Sequence, residues 1–110
     1  MSAPTDQPWE WCGAAHHFVG ADKCRFHMAT WVAGGRYLVS TVGDYRPDVR
    51  GDMEAIGVGD SFFETYVFSG HPRVTDWCEV EGERYATHEE ANEGHMRYCA
   101  KFHALLAGGV

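Results

Sequence analysis

The chain has 110 residues, 45% of them hydrophobic and 14% aromatic, which is the size of one domain with a core of its own. Sixteen acidic against nine basic side chains give a formal net charge of −7, which repels phosphate backbones, disfavours direct nucleic-acid binding and suits a basic partner surface. No apolar run approaches the roughly 20 residues of a membrane helix, and the N-terminus lacks the basic start and apolar centre of a signal peptide, so the expectation is a cytosolic chain without a membrane partner.

Residues 1–22 mix Pro4, Pro8, Gly13 and Gly20 with Trp9, Trp11 and Phe18 and show no sustained period, which predicts a partly ordered arm pinned to the body by its aromatic residues. Residues 23–110 read as a single domain. Cys24–Val32 and Arg36–Val42 are rich in strand formers. Between them, Gly34 and Gly35 can both adopt positive φ, as a two-residue type I′ turn requires. That turn sets a register pairing Val32 with Tyr37, Thr30 with Val39 and Met28 with Thr41. One face of the hairpin then carries Phe26, Met28, Val32, Tyr37 and Val39, the other His27, Ala29, Trp31, Leu38 and Val42, so both faces should be covered.

The charged, glycine-punctuated stretch 43–60 predicts a surface loop with a short helical turn at Asp52–Ile56. Ser61–Phe68 is a third strand, with Phe62, Glu64, Tyr66 and Phe68 on one face and Phe63, Thr65 and Val67 on the other. After a break at Ser69–Pro72, Thr75–Val80 is a short fourth strand that Arg84 and Tyr85 would extend. Thr87-His88-Glu89-Glu90 is a capping box that opens a C-terminal helix, and Gly108-Gly109 stops it. Helical spacing puts Ala91, His95, Tyr98, Cys99, Phe102, Leu105 and Leu106 on the inner arc and Glu89, Glu90, Glu93, Arg97 and Lys101 on the outer one. Gly94 in the interior suggests a close approach to the sheet. The fold class is therefore α+β, an antiparallel β-meander of three or four strands packed against one C-terminal α-helix.

Cys24, His27, His95 and Cys99 form a Cys2His2 set with spacing suited to zinc, since an i, i+4 pair shares one helix face. Residues i and i+3 on a strand point to opposite faces, however, so Cys24 and His27 converge only if the strand breaks locally. Packing is the preferred account, and no cofactor is expected. The irregular spacing of Cys12, Cys24, Cys78 and Cys99 also argues for thiols rather than disulfides. Cys99 lies one turn from both His95 and His103, yet a thiol packed on a sheet is inert. Asp44, Asp48, Asp52, Glu54 and Asp60 line one loop without the spacing of an EF-hand, and Arg46 and Arg50 interrupt them. Arg50-Gly51-Asp52 matches an adhesion tripeptide by chance. Glu64, among aromatic neighbours, should sit at a pocket rim or pair with Arg36 or Tyr45. The common nucleotide and hydrolase motifs are absent.

Three segments, CRFHMAT with LVSTVGDY in 24–45, FFETYVF at 62–68 and RYATHEEANEGHMRYC at 84–99, resemble a group of small bacteriophage proteins without an assigned activity. That group shares a Ser-Thr-Val-Gly-Asp/Glu-Tyr strand ending, a Glu-Thr-x-Val-Phe strand and a Gly-His-Met helix. The resemblance implies a phage product acting in the bacterial cytoplasm, and it marks Thr41, Asp44, Tyr45, Glu64, Thr65, Gly94 and His95. The expected function is that of a non-enzymatic phage accessory protein that engages a host or phage protein, with Asp44, Tyr45, Glu64 and His95 as binding residues. The alternatives are a virion component, a zinc-stabilised domain, or a small enzyme or ligand-sequestering protein with Glu64, Tyr45 and His95 around a pocket between sheet and helix.

Overall fold

A computed structural model describes residues 10–11, 23–48, 50–56, 59–70 and 75–108, and describes side chains within 23–48, 50–56, 59–69 and 79–105. In chain order the elements are β1 (Glu10–Trp11), β2 (Cys24–Val32), β3 (Tyr37–Tyr45), β4 (Phe63–Gly70), β5 (Thr75–Tyr85) and α1 (His88–Gly108). The strands lie side by side in the order β1-β2-β3-β4-β5, every pair antiparallel. Four long strands and a C-terminal helix thus make the α+β meander that the residue pattern predicts. The two residues of β1 come from the N-terminal arm and pair with Thr30 and Trp31. The other arm residues discussed above, among them Trp9, Cys12 and Phe18, lie outside the described residues, as do His71 and Pro72.

The β2–β3 turn has the predicted chemistry. Gly34 at φ 68° and Gly35 at φ 87° carry the chain round, and Arg36 N–H donates to the Ala33 carbonyl at 3.3 Å. Val32↔Tyr37, Thr30↔Val39 and Met28↔Thr41 follow in register. β3 runs past Val42 to Tyr45, and within it Asp44 takes a positive φ of 54°. That left-handed residue interrupts the two-residue alternation of side chains. Asp44 turns toward the first residue of α1, while Tyr45 packs with Cys24, Leu38 and Val42 on the far face of the sheet.

The helical turn expected at Asp52–Ile56 is not formed. Glu54 instead bridges antiparallel to Tyr45, donating its N–H to the Tyr45 carbonyl at 2.7 Å, and Ile56 N–H donates to the Ser61 carbonyl at 2.9 Å. A helical turn would stack Met53 and Ile56 on one side, whereas the extended chain sends Met53 to the cluster around Phe63 and Ile56 to the cluster around Leu38. β5 is one continuous strand of eleven residues rather than a short one. Its glutamates are poor strand formers, but Glu81 and Glu83 meet cations of α1: Lys101 Nζ at 2.8 Å and Arg97 Nη2 at 2.6 Å. A register shift opposite Val67 and Phe68 leaves Val80 as an extra, half-exposed residue.

α1 opens on the predicted capping box. Glu90 N–H donates to Thr87 Oγ1 at 3.1 Å, and the Glu90 carboxylate accepts from the Thr87 and Ala86 N–H groups at 3.2 and 3.1 Å. Ala91, His95, Tyr98, Cys99, Phe102 and His103 are buried against the sheet. Leu105, placed on the inner arc by its spacing, is 44% exposed because the helix there runs past the turn that closes β2 and β3, and the side chain of Leu106 lies outside the described residues. Val32, Val39 and Val67 complete the core under the helix, and Ala29, Leu38, Val42 and Phe68 form a second core on the far face. Both faces of the hairpin are therefore covered. Among the described residues, no helix is long and apolar enough to cross a membrane.

Candidate functional site

Beneath α1 runs a continuous chain of buried polar groups. Three adjacent strands each turn one threonine toward the helix: Thr30 from β2, Thr41 from β3 and Thr65 from β4, all fully buried. Thr41 and Thr65 are direct cross-strand partners, with hydroxyls 2.6 Å apart. His95, also fully buried, descends from α1 between them. Its Nδ1 is 2.7 Å from Thr41 Oγ1 and its Nε2 2.9 Å from Thr30 Oγ1. At the other end the Tyr85 hydroxyl donates to Thr65 Oγ1 at 3.0 Å. Each hydroxyl can donate once and accept twice, so a neutral ring held here accepts from one threonine and donates to the other.

Gly94 makes room for this arrangement. A Cβ there would overlap the hydroxyl and ring of Tyr85, so the helix passes directly over the phenol. Burial sets the protonation states. It lowers the His95 pKa from 6.5 to about 4, raises the Tyr85 phenol, and pushes the Cys99 thiol up to about 12, the Thr30 hydroxyl acting weakly the other way. A neutral imidazole with both nitrogens occupied is no general base for an outside substrate, and a buried, protonated thiol is no nucleophile. Among the described residues no buried side-chain nitrogen or oxygen lacks a hydrogen-bond partner. The chain of groups ties helix to sheet.

The four residues of the zinc set are not brought together. His95 and Cys99 lie under α1, Cys24 is in the core on the opposite face of the sheet, and His27 is exposed. Among the described residues no three His, Cys, Asp or Glu side chains gather as metal ligands do. Cys24 and Cys99 are unbridged thiols, while Cys12 and the side chain of Cys78 lie outside the described residues. The pocket expected between sheet and helix, with Glu64, Tyr45 and His95 around it, is likewise not assembled, because the sheet stands between His95 and the other two.

Glu64 is a buried carboxylate on the far face. It accepts from Arg84 Nε at 3.2 Å. Beside this pair, Tyr66, Gly82, Glu83 and Arg84 line an open cleft of about 360 Å3. The third polar group is the root of the loop. Asp44 Oδ1 accepts from Arg46 Nε at 2.7 Å, its Oδ2 lies 3.5 Å from His88 Nε2, and Arg46 Nη1 donates to the Gly51 carbonyl at 3.1 Å. Asp48 caps the next turn, its carboxylate accepting from Arg50 N–H at 3.0 Å and its carbonyl from Gly51 N–H at 2.8 Å. Asp48, Asp52, Glu54 and Asp60 stand exposed on this frame, and Tyr45 lies at its base.

Of the positions marked by resemblance, the structure brings Thr41, Thr65, Gly94 and His95 into one constellation and leaves Asp44, Tyr45 and Glu64 elsewhere. Sequence reasoning missed Thr30 and Tyr85, which complete the buried chain, and Arg84, Arg46 and His88, which pair the acids. Threonines among apolar residues on the inner faces of neighbouring strands were the available signal for Thr30. Comparison of the chain with protein-family models, with curated proteins and with solved structures finds no match.

Proposed function

We propose that this chain is a non-enzymatic binding protein, a phage accessory factor in the bacterial cytoplasm, whose docking surface is the acidic loop 44–60. The observation that supports this reading is the construction of the loop. Arg46 ties Asp44 to the Gly51 carbonyl, Glu54 bridges back to Tyr45, and the acids at 48, 52, 54 and 60 are left facing water. A loop held in place before binding loses little conformational freedom on docking, which favours affinity. Meanwhile the groups with catalytic potential, His95 and Cys99, are sealed in the core. The partner is a protein with a basic surface, and association should weaken with salt as exposed charges are screened. Phage context rests on the resemblance of the three segments described above.

The test is a comparative capture from host lysate, with and without co-expressed phage proteins. Three baits are used: the native chain, a loop variant carrying Asp48→Asn, Asp52→Asn, Glu54→Gln and Asp60→Asn, and a control carrying Glu79→Gln, Glu89→Gln and Glu93→Gln. A protein retained by the native chain and the control but lost from the loop variant supports the reading. Equal capture by all three baits refutes the loop as the docking surface.

A further inference from the structure

We infer that Arg84 anchors a site for a small carboxylate with a flat apolar body, in the cleft between Tyr66 and Gly82 on the face of the sheet away from α1. Glu64↔Arg84 and Tyr66↔Gly82 are successive far-face pairs of β4 and β5, so Tyr66 and Arg84 are diagonal neighbours. Glu64 is buried, its side chain 8% exposed, and it accepts from Arg84 Nε at 3.2 Å, whereas the Arg84 side chain is 46% exposed. The buried carboxylate thus holds a rigid, planar fork by its inner nitrogen and leaves the outer end, with Nη1 and Nη2, for a further partner. Two parallel N–H groups at that end match the two oxygens of a carboxylate. Gly82 keeps the approach open. A Cβ there would overlap the Tyr66 ring, so the ring lies against bare backbone and no side chain of β5 stands between it and Arg84. The result is an open cleft of about 360 Å3 bordered by Tyr66, Gly82, Glu83 and Arg84. The Glu83 carboxylate is drawn to α1, where Arg97 Nη2 donates at 2.6 Å and the Tyr98 hydroxyl at 3.4 Å.

Charge and size choose the ligand. Arg84 is the one cation among the described residues that line the cleft, and Glu64 already draws on its charge. A single negative charge therefore suits the site, whereas a phosphate dianion would bring a second charge, without a partner, close to a buried carboxylate. The volume lies at the small end of the range of about 300–1,000 Å3 typical of ligand pockets, which is room for one ring. The face of Tyr66 offers that ring a stacking partner beside the guanidinium. A fork already held by Glu64 loses less freedom when the ligand arrives. Neutralising Glu64 accounts for the bond at Nε, but not for an open cleft at the other end of the guanidinium. No residue of the loop 44–60 lines the cleft, so the site stands apart from the docking surface proposed above.

The experiment titrates benzoate, benzamide and phenyl phosphate separately into the isotope-labelled full chain near pH 7 at constant ionic strength. It follows the backbone amide resonances of Gly82, Glu83 and Arg84 and the ring resonances of Tyr66. Benzoate should give saturable shifts confined to these residues, with a Kd of about 1–10 mM because an open cleft leaves much of the ligand in water. Benzamide, which keeps the ring and loses the charge, should not saturate them, and phenyl phosphate should bind more weakly than benzoate. Arg84→Lys keeps a cation for Glu64 but loses the fork, and should weaken benzoate about tenfold or more. The site is overturned by equal shifts with benzoate and benzamide, by tighter binding of phenyl phosphate, by native affinity for benzoate in Arg84→Lys, or by no saturable shift at these residues. If the variant does not fold, the three titrations of the native chain decide.

Discussion

Replacing Thr41 by valine tests the buried chain at its centre. The substitution keeps shape and branching, suits a strand and opens no cavity, so any loss reports the missing hydroxyl. Thr41 is fully buried and its Oγ1 makes two short contacts, 2.6 Å to Thr65 and 2.7 Å to His95 Nδ1. Removing it leaves His95 Nδ1 and the Thr65 hydroxyl each short of a partner, and each buried group left unsatisfied costs about 1–3 kcal/mol. Extra apolar burial and strand propensity return less than about 1 kcal/mol. The net expectation is a destabilisation of about 2–4 kcal/mol. At a urea m-value of about 1.5 kcal/mol/M this lowers the unfolding midpoint by roughly 1–3 M. Thr65→Val should cost less, and the double variant less than the two costs added, because the pair share a hydrogen bond. Urea unfolding followed by circular dichroism measures all three. A Thr41→Val midpoint within about 0.3 M of the native value, or strict additivity, would show that the hydroxyls are not coupled as described.

Gly94→Ala reverses the usual rule for helices. An open site gains about 1 kcal/mol from this change, but here the new methyl overlaps Tyr85, so overpacking of about 1–3 kcal/mol should outweigh the gain and appear as a lower urea midpoint. Trimming the clash with Tyr85→Leu in the same chain should recover part of it. Cys99 should resist alkylation: at pH 8 iodoacetamide leaves it unmodified for hours in the native chain and labels it promptly in denaturant, read by peptide mass spectrometry, since burial holds the thiol near pKa 12. Rapid native labelling of Cys99 would mean that α1 opens far more often than its packing implies.

Local chemistry carried much of the architecture. Adjacent positive-φ glycines specify one turn, that turn specifies one register, and every β2–β3 pair read from it is present. Thr87 and Glu90 likewise mark the helix start, because capping involves only neighbouring residues. The misjudged segments are those whose partners are remote. β5 outruns its expected length because its glutamates, poor strand formers in isolation, meet cations from a helix that follows it. Asp52–Ile56 departs from the expected helical turn because Met53 and Ile56 serve different cores, which nothing local shows.

The same distinction separates what is legible of the candidate site. His95 on the inner face of the helix follows from a 3.6-residue period and needs no tertiary information. What it meets does not follow, because Thr41↔Thr65 is a pairing across a loop of irregular length, and no turn sets that register as Gly34 and Gly35 set the first. Nor does the face presented by Asp44, whose left-handed backbone reverses the alternation on which strand reading depends. A chain determines by itself whatever is decided within one turn or one helical repeat. Here the docking of α1 across four strands decided the rest, placing His95 among hydroxyls and leaving Glu64 on the opposite side of the sheet.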